Sequence, residues 1–388
     1  MGGQGRQATY DGRETRNEIR DESGDEIRDE ILVRICDRAG RPRGTGFVAD
    51  RHGTVLTSHE AVEGLARLVL RAPGGRTFAV TADEVTPLPA LDLAIVRTDG
   101  LGLAPLPITV RDAVEPGTYV RIAAGGWREA RVLGAADVTY TAGDDSHLLG
   151  GALELAIGTA GRDALRPGGG AAGGPVLDAT TGTVIGVLGT ALRTERGAAG
   201  FAVPLREADG PLGELLSRNA ATVPAYGPDL NLAGVLELTA TLVGSEGPST
   251  TVAPVERADV VREFTAFIDG QATVLALVGA PGSGRTTELA VLADRRSRSP
   301  EPAPTLWLRG ADLRDTDESV EDAARRALER AGRIVVASRA DEGLPSAVVP
   351  PGEYAGELGD ITPERLARLA RAAGRPLLLL LDTPEEMP

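Results

Sequence analysis

Beyond residue 30, apolar positions fall into short runs bounded by Gly, Pro or Asp, at residues 31–36, 45–49, 55–57, 68–70, 93–97, 119–122, 184–188 and 201–203. Runs this brief are too short for a helix that buries one stripe, and they fit strands closed by turns. The pattern predicts an all-β sandwich or barrel over residues 31–215. From residue 255 the period becomes helical, with Val260, Val261, Phe264, Phe267 and Ile268 on one side. A strand at 274–278, a Gly-rich turn and a helical stretch at 286–295 follow. Then come a strand at 305–308, helical runs at 318–331 and 363–373, and a strand at 377–381. Strands alternating with helices predict a parallel α/β sheet over residues 254–388. Between the two textures, residues 216–253 read as a linker, within which the apolar stretch 230–243 packs as a strand or short helix. Residues 1–30 carry 14 charged groups and little that is apolar, so they read as a disordered charged segment.

A length of 388 residues exceeds what one core organises, in keeping with this division. The apolar fraction of 42% excludes wholesale disorder. The 41 basic residues are all arginine, against 56 acids, and the net charge of −15 argues against an electrostatic grip on nucleic acid. The single cysteine, Cys36, excludes an internal disulfide and reads as a buried thiol in a strand. No apolar run reaches the ~18 residues of a membrane span, and the first 30 residues lack the apolar centre of a signal peptide. A soluble, cytoplasmic protein with no membrane partner is the expectation. The lack of lysine beside abundant Ala, Gly, Arg and Pro suits a GC-rich bacterial genome. His52, His59, His147 and Cys36 are scattered without metal-ligand spacing. His52 reads as a turn residue, and Ser146 and His147 read as part of a polar loop.

Five segments carry a resemblance. Gly44-Thr-Gly-Phe-Val48, Val55-Leu-Thr-Ser-His-Glu-Ala-Val62, Asp92-Leu-Ala-Ile-Val96, Gly170-Ala-Ala-Gly-Gly-Pro175 and Gly200-Phe-Ala-Val-Pro204 stand in an order and spacing that resemble the bacterial trypsin-like serine proteases of the high-temperature-requirement type. The resemblance implies a double β-barrel and a catalytic triad at the seam. Such a triad needs a hydroxyl nucleophile, an imidazole to take its proton and a carboxylate to orient the ring. The nucleophile position falls on Ala172, which has no hydroxyl. The imidazole position falls on Glu60, with His59 one residue early and therefore expected to be turned about 100° away from the seam. Asp92 alone matches. Main-chain N–H groups of the turn at Gly170, Ala171, Ala172, Gly173 and Gly174 keep the form of an oxyanion hole. The degraded triad implies a silent, peptide-binding or regulatory barrel. An active enzyme carrying a Ser-to-Ala change at Ala172, a plain peptide-binding adaptor, and a separate centre at Cys36 or Ser146/His147 remain as alternatives.

The segment Val274-Leu-Ala-Leu-Val-Gly-Ala-Pro-Gly-Ser-Gly-Arg-Thr-Thr287 has the Gly279…Gly284-basic-Thr286 spacing of a Walker A loop, with Arg285 in place of lysine. Glycines in such a loop let backbone N–H groups face phosphate at a helix N-terminus. It resembles a P-loop NTPase, which implies that Gly279, Gly284, Arg285, Thr286 and Thr287 bind nucleotide. Thr286 and Asp382, the latter ending an apolar strand like a Walker B motif, would hold Mg²⁺. Glu385 or Glu386 would polarise water. With the helical lead-in at 254–270, the resemblance extends to the STAND class of signal-transduction ATPases. It implies ATP and Mg²⁺ as cofactors and nucleotide-dependent homo-oligomers. As the chain ends six residues after Asp382, it is expected to be the first part of a longer protein.

Overall fold

The computed structural model describes residues 31–158, 165–166, 168, 170–194, 200–246, 257–341 and 361–387. The segment 1–30 and its expected disorder lie outside them. Two compact units divide the chain between Leu216 and Ser217.

Among the described residues the first unit holds thirteen strands. Seven form one antiparallel sheet in the order β5-β4-β1-β2-β3-β7-β6: β1 Leu32–Cys36, β2 Pro42–Val48, β3 Val55–Thr57, β4 Arg67–Arg71, β5 Thr77–Thr81, β6 Val85–Leu88 and β7 Leu93–Val96. The other six close a barrel in the order β10-β13-β12-β11-β8-β9: β8 Tyr119–Ala123, β9 Trp127–Ala142, β10 Asp145–Ile157, β11 Pro175–Asp178, β12 Val184–Gly189 and β13 Gly200–Pro204. The expected double barrel is therefore one closed barrel beside a seven-stranded sheet whose ladder does not close. Ser146 and His147 lie on β10, not in a loop, because the hairpin turns earlier, after Ala142.

Apolar runs mark these strands because both strand faces are buried. On β7, Leu93 and Ile95 face the core shared between sheet and barrel, while Ala94 and Val96 face the interior of the sheet. On β12, Val184 and Val187 join the shared core, and Ile185 and Leu188 fill the barrel. On β7 the period of two sends alternate side chains into two different cores; on β12 a register shift opposite Val176 and Leu177 puts Val184 and Val187, three residues apart, on one side, and neither strand has a face that needs polar residues. Leu212, Leu215 and Leu216, early in helix α2 (Gly210–Thr222), complete the shared core.

The second unit begins where a linker was expected. Residues 217–222 are the end of α2, and Leu232–Glu246 form helix α3, so 230–243 packs as a helix. Its Leu238 and Leu242 are buried, which ties the segment to a core rather than leaving it as a spacer. Helices α4 (Ala258–Asp269), α5 (Arg285–Arg298), α6 (Val320–Asp341) and α7 (Pro363–Ala372) surround two parallel strands, β14 (Thr305–Arg309) and β15 (Leu378–Asp382). Leu306 and Leu308 of β14 face α3 and α6, and Trp307 faces α4 and α5, giving helices on both sides of the strand pair. The strand expected at 274–278 is not formed. Among the described residues no ladder partner pairs with it, and Val274 and Val278 are 81% and 90% exposed. Without ladder partners, apolar β-formers do not make a strand.

Candidate functional site

A single helical turn, α1 (His59–Val62), carries most of the chemistry of the first unit. Ser58 is its N-cap, its hydroxyl accepting from Glu60 N at 3.2 Å. The same Ser58 Oγ donates to Asp92 Oδ1 at 2.7 Å, and Glu60 N–H also reaches that oxygen at 3.2 Å. Asp92 follows a short 3-10 turn, Pro89–Leu91, and takes a left-handed φ of 46° that delivers its carboxyl to α1. These contacts bring Asp92 against the start of α1, beside residue 60.

Glu60 stands at the imidazole position, and its carboxylate points across to the barrel. It accepts from Thr190 N at 2.9 Å, from Ala191 N at 2.6 Å and from the Thr190 hydroxyl. Asp92 Oδ2 consequently has no hydrogen-bond partner among the described residues, although it is fully buried. Burial pushes the Asp92 carboxyl up to about 8, and the nearby Glu60 charge adds to the rise against the opposing Ser58 hydrogen bond. Asp92 is therefore neutral at pH 7.

His59 corrects one expectation. It does not turn away from the seam: its Nδ1 lies 2.8 Å from the hydroxyl of Tyr140 on β9, and the two rings meet edge to face. At the first position of α1 the side chain projects back across the helix start, which a simple rotation by one residue did not capture. Burial lowers the His59 pKa, against the opposing pull of the Glu63 charge, and so favours the neutral ring. Glu63, one residue past α1, accepts from Gly143 N at 2.6 Å and from Tyr140 Oη at 3.5 Å. Three polar side chains of one turn, His59, Glu60 and Glu63, thus reach the closed barrel.

The turn that would bear the nucleophile lies against the same place. Thr45 N donates to Ala172 O at 2.7 Å, and Thr45 Oγ1 donates to Gly170 O at 2.8 Å. Gly173 N donates to Leu188 O at 2.7 Å. Gly173 has φ +84°, and a Cβ there would sit 2.0 Å from Thr57 Oγ1 and 2.2 Å from Thr45 O. Ala172 is buried, and its methyl carries no proton to transfer. Among the described residues the N–H groups of Gly170 and Ala172 donate to no protein acceptor, which suits an oxyanion-type turn. Cys36 is buried in β1 and His52 is exposed in a turn, and neither approaches α1 in any described contact.

Tyr140, Glu63 and Thr190 escaped the sequence reading. The i, i+3 spacing of Glu60 and Glu63 placed them near one face, but Tyr140 and Thr190 lie 81 and 130 residues from their partners.

In the second unit, α5 begins at the Gly-rich loop with Gly284 as N-cap at φ 83°, a conformation that suits glycine. Thr286 Oγ1 donates to Asp382 Oδ1 at 2.8 Å, joining the first turn of α5 to the end of β15. Arg285 Nη2 pairs with Glu385 Oε1 at 2.9 Å. Thr287 lies one residue further along α5, and Gly279 opens the loop. Glu386 accepts from Thr383 Oγ1 at 3.3 Å and stays within its own turn. Among the described residues no group of three or more His, Cys, Asp or Glu side chains converges as a metal cage, and no helix is long and apolar enough to cross a membrane.

Residues 44–187, which include α1, the Gly-rich turn and the buried Asp92, match the trypsin-like peptidase domain family. The similarity is to the HtrA type. Over 177 residues the chain is 34% identical to HhoA of Synechocystis sp., named as a serine protease, covering 43% of this chain and 41% of that one. Over 227 residues it is 29% identical to the chloroplastic protease Do-like 1 of Arabidopsis thaliana, covering 53% and 48%. The chain spans less than half the length of these curated relatives. Among solved structures, the active form of the Rv3671c protease from M. tuberculosis aligns with 59% of this chain and 96% of its own, at 20% identity and a TM-score of 0.36.

Proposed function

We propose that the chain is a bacterial signalling or defence regulator in which a catalytically silent trypsin-like domain is joined to a nucleotide-binding P-loop unit of the STAND type. The observation that carries the first half is the Glu60 carboxylate. A serine protease needs a free base beside a hydroxyl. Here residue 172 has no hydroxyl, and the carboxylate at 60 accepts three hydrogen bonds from Thr190 and Ala191. The domain then serves to bind a peptide or protein at the seam, or to pass on a conformational signal. Casein incubated with the chain should remain intact, and Ala172→Ser alone should leave it intact. Cleavage by the unaltered chain would end the silent reading.

A second reading, a working endopeptidase seen as a Ser-to-Ala variant, draws on the 34% identity to a protein named as a serine protease. On that reading Ala172→Ser by itself restores cleavage. If cleavage appears only when Glu60→His is added, the degraded-triad reading stands, because both departures then had to be reversed.

The second half rests on Thr286 and Asp382, 96 residues apart in sequence and hydrogen bonded at the mouth of the Gly-rich loop. A hydroxyl and a buried carboxylate are hard oxygen donors suited to Mg²⁺, which when bound would neutralise phosphate charge. Loop N–H groups and the α5 N-terminus favour the phosphates of ATP, and Arg285 supplies a cation beside them. Calorimetry on the full chain should show Mg-ATP binding that weakens at least about tenfold in Asp382→Asn, the loss of one charged ligand. No binding in the wild type or in Arg285→Lys would remove the nucleotide reading. Location in the cytoplasm and nucleotide-dependent homo-oligomers belong to the same proposal.

A further inference from the structure

The Arg285–Glu385 ion pair has no part in the fold of the strand pair, yet the local chain is arranged to make it. β15 ends at Asp382, Thr383 takes a left-handed φ of 49°, and Pro384 opens a 3-10 turn that brings Glu385 to the guanidinium. Arg285 is the first residue of α5 and directly precedes Thr286, whose hydroxyl is on Asp382. The same two chain segments are therefore pinned twice, once by hydroxyl and carboxylate and once by opposite charges. Both members of the ion pair keep contact with solvent, at 30% and 52% exposure, so the pair can open without unpacking a core. Its net worth is small in the sense that exposed pairs generally are.

An anion already on Arg285 has a consequence for any other anion. We infer that Glu385 is a resident counter-charge at the phosphate seat, so that a nucleoside polyphosphate binds by exchange with it and the pair holds the unit in a low-affinity resting state. The inference rests on the nucleotide reading above and names how that site is regulated. Arg285 and the loop N–H groups would attract phosphate, while Glu385 beside them repels it and occupies Nη2. Its own backbone N–H, and after it the Arg285 charge, hold the Glu385 carboxyl below the usual range, so the counter-charge is present at neutral pH. Arginine suits exchange better than lysine would. Its forked guanidinium has five donors, so one edge can begin to engage phosphate while the other still holds the carboxylate.

The experiment is calorimetric binding of ATP, ADP and AMP, each with Mg²⁺, to the full chain and to Glu385→Gln. Glu329→Gln, an exposed acid on α6, reproduces the same change in net charge. Glu385→Gln should bind ATP about three- to tenfold more tightly at low salt, the effect of removing one nearby like charge. The gain should shrink at high salt, where the Debye length falls to about 3 Å at 1 M. It should also be smallest for AMP, which lacks the outer phosphates, and Glu329→Gln should match the wild type. Unchanged or weaker ATP binding in Glu385→Gln, with a wild type that binds, would overturn the exchange and leave the nucleotide reading intact. Equal tightening in Glu329→Gln would reduce the effect to bulk charge and overturn it as well. If neither the wild type nor Glu385→Gln binds any of the three nucleotides, the site itself is lost and the exchange goes with it.

Discussion

Gly173→Ala should destabilise the first unit by at least about 3 kcal/mol, or prevent its folding outright. The added Cβ would lie 2.0 Å from Thr57 Oγ1, 2.2 Å from Thr45 O and 2.7 Å from Ser58 N, and two of those three atoms are backbone. The positive φ of 84° adds a cost of roughly 1–2 kcal/mol for any L-residue. Thr57 cannot swing aside without loss, because its hydroxyl donates to Thr45 O at 2.6 Å in a fully buried site. Gly170→Ala is the comparison. A Cβ there meets nothing within 4 Å, and only the φ of +81° is strained. Thermal unfolding followed by circular dichroism should show a fall of roughly 6–12 °C or more for Gly173→Ala, taking about 2–4 °C per kcal/mol for a unit of this size. Gly170→Ala should fall by only a few degrees. Equal falls would mean that the turn does not press on β2 and β3 as described.

The second large effect concerns pH. The folded chain holds the Asp92 proton up to about pH 8, while the unfolded chain releases it near 3.8. Stability is then fully present below the unfolded value and declines by about 1.4 kcal/mol for each pH unit between the two. Above about pH 8 this contribution stops changing. Asp92→Asn keeps an acceptor for Ser58 Oγ and Glu60 N but has no proton to lose. From pH 5 to 7 the wild type should therefore lose on the order of 2–3 kcal/mol relative to the asparagine variant. Urea unfolding at several pH values reads this difference directly. Parallel pH profiles for the two proteins would show that Asp92 is ionised in the folded state, and that its buried Oδ2 has a partner after all.

Which features were legible in the sequence follows from what buries them. Strands with two buried faces, such as β7 and β12, announce themselves as apolar runs, and the eight short runs between residues 31 and 203 fall on strands. The long β9–β10 hairpin did not. Its strands alternate buried Val132, Val138 and Tyr140 with exposed Arg131, Leu133 and Thr141, and Ala and Gly dilute the contrast. Residues 274–278 failed in the opposite way, with ideal strand composition and no ladder partner among the described residues. Among the candidate site residues, motif spacing assigned Glu60 and Asp92 to one triad and Thr286 and Asp382 to one metal position. It could not reveal that Glu60 is consumed by Thr190, or that His59 finds Tyr140, because those meetings depend on how barrel and sheet pack. A histidine one position early looked misplaced by rotation alone. In three dimensions it has a partner of its own.

The alternation of side chains between two cores also governs how the first unit comes apart. Leu93 and Ile95 from the sheet share one cluster with Val187 and Val203 from the barrel, and the polar side chains of α1 fasten its rim. Neither β layer has an outer coat on that side, so a chain cut between them would present oily surface to water on both halves. Sheet and barrel should therefore melt as one unit, giving a common heat-absorption peak in calorimetry, with a loss at either flank felt at the other.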